Sequence, residues 1–421
     1  MDPVIVTAIV SLVLVFLSVP LGVSIGFGVL AGLWAGDMPF ILFTQRLFNT
    51  FDSFPIMAIP FFLLSAEIMS QGTLADKLLN FCRAMCGHIR GGLAHISIIT
   101  SLFYGALCGS AAAAVAAVGG MMIPAMEKDH YPPAFSTALN CASGCLANII
   151  PPSIAFILYG SFGGVSVSDM FIAGVIPGIV VALSLMVAAA IIIARKGYGR
   201  LLPRATAREK WEAARRALPS LGVPVIVLGG IYGGLVTPTE AGVLAVFYSL
   251  LVEGLSGSLN RTVCRRVLVK TLNTLGMFFL ILVMANALGT FMLYLNIQES
   301  IITAMRDMTT NPYIFMLIMI AFLLFIGTFL EATAIILILS PLLVPLVVSY
   351  GINPVHFGIV MICCTCIGLL TPPMGTNLFV GSSITGLSVI TLSRAILPFV
   401  GAMILAALLI AYVPWFSLAL L

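Results

Sequence analysis

The pattern of apolar and polar positions along this chain consists of long apolar blocks separated by short polar stretches. Ten blocks stand out, each about long enough for an α-helix to cross the hydrocarbon core of a bilayer. They cover residues 4–19, 20–36, 54–71, 135–161, 170–194, 217–235, 238–254, 271–295, 358–382 and 395–418. The pattern therefore predicts about ten transmembrane helices.

Two more apolar stretches, 96–124 and 312–345, are interrupted near the middle by small and polar residues. The interruptions are Gly109-Ser110 in the first stretch and Gly327-Thr328 in the second. Because glycine and small polar residues favour a turn over a continuing helix, we expect each stretch to fold back as a re-entrant hairpin.

Composition supports a membrane protein and argues against several other classes. Of the 421 residues, 61% are hydrophobic and 8% are charged, whereas soluble domains are roughly 25% charged. The chain is therefore predicted to be an all-α polytopic membrane protein, with the lipid bilayer as its first partner. We expect neither an enzyme nor a nucleic-acid-binding protein.

The basic residues predict how the helices are oriented. Residues 195–216 hold eight of the 19 Lys and Arg residues, so this stretch is assigned to the cytoplasm. Counting the predicted crossings outward puts 17 of the 19 on the cytoplasmic side, with only Arg46 and Arg306 outside. Both termini then lie outside.

The two halves of the chain share their spacing of proline and glycine. Pro151-Pro152 recurs as Pro372-Pro373 at an offset of 221 residues. The same offset links Pro133 with Pro354, Pro177 with Pro398 and Gly160-Ser161 with Gly381-Ser382, and an offset of 218 links Pro20 with Pro238 and Gly109-Ser110 with Gly327-Thr328. Because each half has an odd number of predicted crossings, the second half is inverted. Inverted repeats are typical of secondary transporters, whose broken helices hold ions and substrate near the midplane.

These boundaries divide the chain into seven segments. Each repeat has three leading helices, an arm helix, and a hairpin followed by two further helices, and a basic cytoplasmic connector joins the repeats. The leading helices are assigned to 1–72 and 217–292, the amphipathic cytoplasmic arm to 73–95, the external arm to 293–310, the hairpins with the helices that follow them to 96–194 and 311–421, and the connector to 195–216.

Broken helices supply the predicted binding chemistry. A helix end leaves backbone carbonyls and N–H groups unpaired, so carbonyl oxygens can coordinate Na⁺ and helix N-termini favour anions. Each Pro-Pro pair frees further carbonyls in the preceding turn. We expect the Gly109-Ser110 turn to face residues 148–153, and the Gly327-Thr328 turn to face residues 371–377.

Glu331 is one of few acidic residues inside the predicted membrane segments. Such residues are usually functional because a charge in the membrane is costly. Glu331 is expected either to ligate a cation or to carry a proton. A protonated, hydrogen-bonded structural role is the alternative.

Motifs throughout the chain resemble those of one transporter family. They lie at residues 109–124, 149–154, 174–178, 237–241 and 370–375. In this order they are similar to the large membrane subunit of tripartite ATP-independent periplasmic (TRAP) transporters, and the resemblance spans nearly the whole chain. One departure is Ser110-Ala111, where the family often has two consecutive hydroxyl residues.

The resemblance implies a bacterial inner-membrane symporter that uses a Na⁺ gradient to import a carboxylate such as a C4-dicarboxylate or sialic acid. A periplasmic binding protein would deliver the substrate, and a separate small four-helix membrane subunit would pack beside this chain. Both termini would be periplasmic. The resemblance also implies that residues 1–72 and 217–292 form a scaffold, against which the hairpins and the transport helices that follow them, at 96–194 and 311–421, would slide as an elevator.

Two or more Na⁺ ions and one carboxylate are assigned to the breaks under this interpretation. The sodium ligands are predicted to be Gly109, Ser110, Asn148, Pro151, Gly327, Thr328, Glu331, Thr371 and Met374. The substrate contacts are predicted to be Ser110, Ser153, Thr376 and Asn377. Proton coupling through Glu331 and a passive anion channel remain the alternatives.

Overall fold

A computed structural model describes residues 2–52, 54–71, 77, 81–82, 84–85, 91–199 and 206–421, and these residues form helices and no strand. The first half contains helices Pro3–Phe16, Leu21–Ala35, Ile41–Asn49, Ala58–Gln71, Gly92–Cys108, Ala111–Lys128, Pro133–Gly144, Leu146–Ile149, Ile154–Gly163 and Val167–Lys196, with 3₁₀ turns at Thr50–Asp52 and Phe54–Met57. The second half contains Ala207–Tyr232, Pro238–Leu255, Arg261–Tyr294, Ile297–Met308, Pro312–Gly327, Ala332–Ser349, Pro354–Gly368, Thr376–Thr385, Val389–Tyr412 and Trp415–Leu418.

The predicted all-α membrane fold is confirmed. Within the described ranges, six helices are long and apolar enough to cross a membrane, and two bent helix pairs pass the same test. The remaining apolar blocks form shorter helices, among them Pro3–Phe16 and Leu21–Ala35.

Two helices include polar residues that lie outside the predicted apolar blocks. Ile41–Asn49 is a short helix that the apolar blocks omit, because it mixes Phe and Leu with Thr, Gln and Arg. Arg261–Tyr294 begins ten residues before the predicted block at 271, because the Asn260 side chain caps it by accepting from the Val263 N–H. The predicted cytoplasmic arm at 73–95 lies mostly outside the described residues.

The stretch 312–345 folds back on itself. We call its two helices, Pro312–Gly327 and Ala332–Ser349, hairpin 2. The Phe315 ring stacks on Tyr350 with centroids 4.0 Å apart, and the Tyr350 hydroxyl donates to the Thr309 carbonyl at 2.7 Å. The start of the first helix therefore lies beside the end of the second, so the helices run antiparallel.

The stretch 96–124 also folds back, and we call Gly92–Cys108 with Ala111–Lys128 hairpin 1. At its start, Gly91 packs against Ile193, and just after its end, Tyr131 packs against Gly199. Because both ends of the hairpin lie beside the same short segment of chain, its two helices also run antiparallel.

Both predicted Pro-Pro breaks are present. Broken helix 1 comprises Pro133–Ile149 and Ile154–Gly163, which meet at 44°. Broken helix 2 comprises Pro354–Gly368 and Thr376–Thr385. The Pro151-Pro152 and Pro372-Pro373 peptide bonds are both cis.

The two broken helices pack antiparallel. The Tyr159 hydroxyl donates to the Pro354 carbonyl at 2.7 Å, so the end of broken helix 1 meets the start of broken helix 2. Near the middle, the Cys145 thiol donates to the Cys366 carbonyl at 3.2 Å, and these two residues are 221 positions apart. A pseudo-two-fold axis therefore passes close to this pair, which accounts for the inverted repeat.

Each hairpin contacts its broken helix at an equivalent place. A Cβ on Gly105 of hairpin 1 would lie 2.5 Å from the Ala147 Cα, and a Cβ on Gly368 would lie 2.6 Å from the Gly327 Cα of hairpin 2. Ala147 and Gly368 are again 221 residues apart. Glycine is needed at both contacts because two backbones meet there.

The structure pairs the residues of the two hairpin turns differently from the sequence-based prediction. The second helices start at Ala111 and Ala332, which are 221 residues apart, and both have 18 residues. Ser110 therefore corresponds to Glu331, and not to Thr328 as the motif spacing suggested. The reason is that the turn of hairpin 2 is longer, running from Thr328 to Glu331.

Gly368→Ala tests this close contact. The new methyl group would collide with the backbone of Gly327, which cannot move aside as a side chain could. We expect a loss of about 1–3 kcal/mol of stability, measured as a lower midpoint of thermal unfolding in detergent. The matched control is Gly276→Ala, where a Cβ meets nothing within 4 Å, and there a gain of roughly 0.5–1 kcal/mol is expected. Equal midpoints for the two variants would contradict the contact.

Candidate functional site

A central cavity of about 180 Å³ lies where both hairpin turns and both breaks converge. Its lining combines residues from the two repeats with a few from neighbouring helices. They are Leu63, Gly109, Ser110, Ala111, Ala112, Asn148, Ile154, Ala155, Thr274, Phe278, Glu331, Ala332, Thr333, Leu369, Thr376 and Asn377. Six of the predicted site residues are thus brought together: Gly109, Ser110, Asn148, Glu331, Thr376 and Asn377.

Four helix N-termini meet at this cavity. Ala111, Ile154, Ala332 and Thr376 are each the first residue of a helix, and all four line the cavity. The first N–H groups of a helix have no intrahelical partner, and the helix dipole makes that end positive. These four helix ends favour an anion in the cavity, whose described lining has no Lys or Arg.

The turn of hairpin 1 faces the break in broken helix 1. Gly109 has φ +57°, a left-handed conformation that glycine adopts without strain. Ala111 is the first residue of the next helix, and its N–H donates to the Asn148 Oδ1 at 3.1 Å. A Cβ on Gly109 would be 3.5 Å from the Pro152 carbonyl. The predicted juxtaposition of this turn with the 148–153 break is therefore observed.

Ser153 and Pro151 lie in the wall behind the cavity. The Ser153 hydroxyl donates to the Asn148 carbonyl at 2.7 Å and accepts from the Ala155 N–H at 3.2 Å. Ser153 is 1% exposed, and its hydroxyl caps the helix that starts at Ile154. Neither Ser153 nor Pro151 lines the cavity.

Glu331 is the one ionisable side chain among the described residues that line the cavity. It precedes the helix that starts at Ala332, and its carboxylate accepts from the Thr333 hydroxyl at 2.7 Å. The carboxylate is accessible from the cavity, so it can bind a cation or a proton there.

Asn377 connects the two broken helices. Its Nδ2 donates to the Cys141 carbonyl at 3.1 Å and to the Cys145 thiol at 3.3 Å, while its Oδ1 has no hydrogen-bond partner among the described residues. The Asn377 amide thus holds the second half of broken helix 2 against broken helix 1.

The other predicted residues form a separate cluster at the turn of hairpin 2. The Met374 N–H donates to the Thr328 carbonyl at 3.1 Å, and the Thr371 hydroxyl donates to the Ile367 carbonyl at 3.0 Å. Gly327 packs on Gly368 beside them. The predicted facing of this turn and the 371–377 break is therefore observed, outside the central cavity.

Ten lining residues are absent from the sequence-based site, and two of them, Thr333 and Thr274, have polar side chains. Thr333 follows Glu331 by two residues, and that spacing of polar residues in an apolar hairpin was a usable signal. Thr274 lies on the helix Arg261–Tyr294 and carries no such signal, because its place in the lining depends on packing. Ala111 and Ala112 contribute through backbone position.

Comparisons with known proteins identify the family and support the fold. The family model described as "Tripartite ATP-independent periplasmic transporter, DctM component" matches residues 8–416. Among solved structures, the YdaH transporter of Alcanivorax borkumensis superposes with a TM-score of 0.66 at 15% identity, covering 89% of this chain and 88% of that one. This likeness supports the fold alone.

Three curated relatives are similar over most of this chain. The large permease protein DctM of a C4-dicarboxylate TRAP transporter from Pseudomonas aeruginosa is 39% identical, covering 89% of this chain and 88% of its own length. The large permease protein SiaM of a sialic acid TRAP transporter from Vibrio cholerae is 34% identical, covering 97% and 96%. The isethionate TRAP permease DctMQ of Oleidesulfovibrio alaskensis is 38% identical over 94% of this chain, which spans 63% of that protein. The chain therefore belongs to the family of the DctM component, the large membrane subunit of TRAP transporters.

Proposed function

We propose that this chain imports an organic anion in symport with Na⁺. The observation that carries the proposal is the convergence of four helix N-termini on one cavity whose described lining has no cationic side chain. Backbone N–H groups at such termini bind carboxylates well. The relatives are named for C4-dicarboxylate, sialic acid and isethionate, which are all organic anions.

Sodium coupling is supported by the oxygen atoms at the two breaks. Na⁺ is cargo in this proposal and not a resident metal. The Ser110 hydroxyl, the carbonyls freed before Pro151 and the Asn148 side chain supply oxygens at the first break. Thr328, Thr371 and the carbonyl groups around Met374 supply them at the second, with Glu331 close by in sequence.

An elevator movement is supported by the way the helices are grouped. The hairpins pack on the broken helices through backbone contacts at Gly105 and Gly368, which favours their moving as a unit. The scaffold helices of the two repeats are joined separately, for example by the Ser65–Ser249 hydroxyl pair at 2.9 Å. The hairpins enter as re-entrant elements from opposite sides of the inner membrane in this proposal.

Two protein partners follow from the family. TRAP large subunits work with a small membrane subunit and a periplasmic binding protein, and here we propose that both are separate polypeptides. The relative named DctMQ is longer than this chain, as expected for a protein that combines large and small subunits.

Uptake into proteoliposomes tests the proposal. The chain is co-reconstituted with its small subunit and binding protein and offered labelled succinate, N-acetylneuraminate and isethionate. We expect accumulation of one anion above its external concentration, dependent on an inward Na⁺ gradient and on the binding protein. Uptake that never exceeds equilibrium would instead identify a passive anion channel.

Glu331→Gln separates sodium coupling from proton coupling. If Glu331 assists a Na⁺ ligand set built largely from neutral oxygens, the variant keeps Na⁺-driven uptake with a several-fold higher half-saturating Na⁺ concentration. If Glu331 carries the coupling proton, uptake driven by a pH gradient is lost altogether. The control is Glu299→Gln, an exposed acid on the arm helix Ile297–Met308, which should leave both gradients equally effective.

Asn148→Ala tests the first break, where the Asn148 side chain holds the turn of hairpin 1 at the cavity. The change leaves the Ala111 N–H unpaired at the turn of hairpin 1 and should cost about 1–3 kcal/mol of stability, together with a higher KM for the anion. Asn353→Ala is the matched control, because Asn353 Oδ1 also accepts from a backbone N–H, that of Val355, but lies away from the cavity. A similar rise in KM for both variants would mean that stability and not binding is responsible.

A further inference from the structure

A second cleft of about 530 Å³ adjoins the central cavity. The two share Leu63, Ser110 and Thr274 in their linings, so an ion that leaves the cavity past these residues enters the cleft. Its other lining residues come from hairpin 1 and from two scaffold helices. They are Ala66, Glu67, Ser70, Tyr104, Cys108, Ala113, Ala116, Ala117 and Lys270.

The cleft contains an ion pair that spans the two repeats. Lys270 Nζ lies 2.8 Å from Glu67 Oε1, and their side chains are 56% and 14% exposed. Glu67 is on the scaffold helix Ala58–Gln71, and Lys270 is on Arg261–Tyr294. Among the described residues that line either cavity, Lys270 is the one cation.

Lys270 is also connected to the central cavity along its own helix. The Thr274 hydroxyl, which faces both cavities, donates to the Lys270 carbonyl at 3.0 Å, one turn away. Residues four apart on a helix share a face, so the Lys270 and Thr274 side chains form one polar edge from the cavity into the cleft.

The exposure of Lys270 bears on the purpose of the pair. A surface pair of this kind adds little to stability, because water and salt screen it. An ammonium group that is more than half exposed in a cleft is, however, accessible to a second anion. Glu67, being mostly buried, stays in place as a competing ligand when such an anion arrives.

We propose that Lys270 is an anion-binding residue on the release path and that Glu67 competes with the cargo for it. The inference rests on the proposed function, because it takes the cargo to be an organic anion. A carboxylate or sulfonate leaving the four helix N-termini exchanges onto the Lys270 ammonium, and Glu67 then displaces it towards the predicted cytoplasm.

Opposite effects of the two partners distinguish this role from a structural one. In the proposal, Lys270→Gln weakens binding of the anion at the face predicted to be cytoplasmic, whereas Glu67→Gln strengthens it by removing the competitor. A pair that only holds the scaffold together gives effects of the same sign, because either change breaks the same contact. The double variant then resembles Lys270→Gln in the first case, and is milder than either single change in the second.

The experiment measures exchange from proteoliposomes loaded with whichever of succinate, N-acetylneuraminate or isethionate the wild-type protein accumulates. The expected result is that Lys270→Gln raises the half-saturating internal concentration roughly three- to fivefold and that Glu67→Gln lowers it by a similar factor. The external KM stays unchanged in both. Lys270→Arg should restore the wild-type value.

Arg265→Gln is the matched control, since it removes a positive charge from an exposed position on the same helix outside both cavities. Thermal unfolding of every variant identifies one that fails to fold, and in that case Lys270→Met and Glu67→Ala repeat the comparison. Changes of the same sign, or no change, in folded Lys270 and Glu67 variants would overturn the inference while leaving the proposed function intact. Failure of the wild-type protein to accumulate any of the three anions overturns both.

Discussion

The backbone groups left unpaired at interrupted helices are the constraint on which the rest of this structure depends. In an apolar environment each unsatisfied N–H or C=O group costs several kcal/mol, so the breaks must satisfy one another. The Ala111 N–H donates to the Asn148 side chain, and the Asn148 carbonyl accepts from the Ser153 hydroxyl. The Met374 N–H donates to the Thr328 carbonyl. The hairpin turns are therefore fixed against the breaks, and the first residues of four helices line one cavity.

Much of this arrangement was predictable from the positions of proline and glycine, because these residues determine the local backbone conformation. Pro151-Pro152 and Pro372-Pro373 stop helices wherever they occur, and Gly109 permits a left-handed turn. The two breaks, the two hairpins and the inverted repeat were therefore predictable. Asn148 and Asn377 were also identifiable, because an amide beside a helix break in an apolar segment needs a partner.

Features that depend on the exact geometry of a cap or turn, or on packing between distant segments, were not predictable. Ser153 is polar and next to a break, yet its hydroxyl is consumed in capping its own helix. The correspondence of Ser110 with Glu331 was hidden because the two hairpin turns differ in length, which motif spacing alone does not resolve. Thr274 joins the cavity only because the helix Arg261–Tyr294 packs beside the second helix of hairpin 2, a contact between residues far apart in sequence.

Equivalent positions of the two repeats hold Ser110 and Glu331, and this difference has an electrostatic consequence. Four helix N-termini of about half a unit charge each give the cavity a positive charge of roughly two. An ionised Glu331 offsets about half of that charge. The single acid that breaks the symmetry of the site therefore leaves a net positive charge of roughly one for an anion to balance.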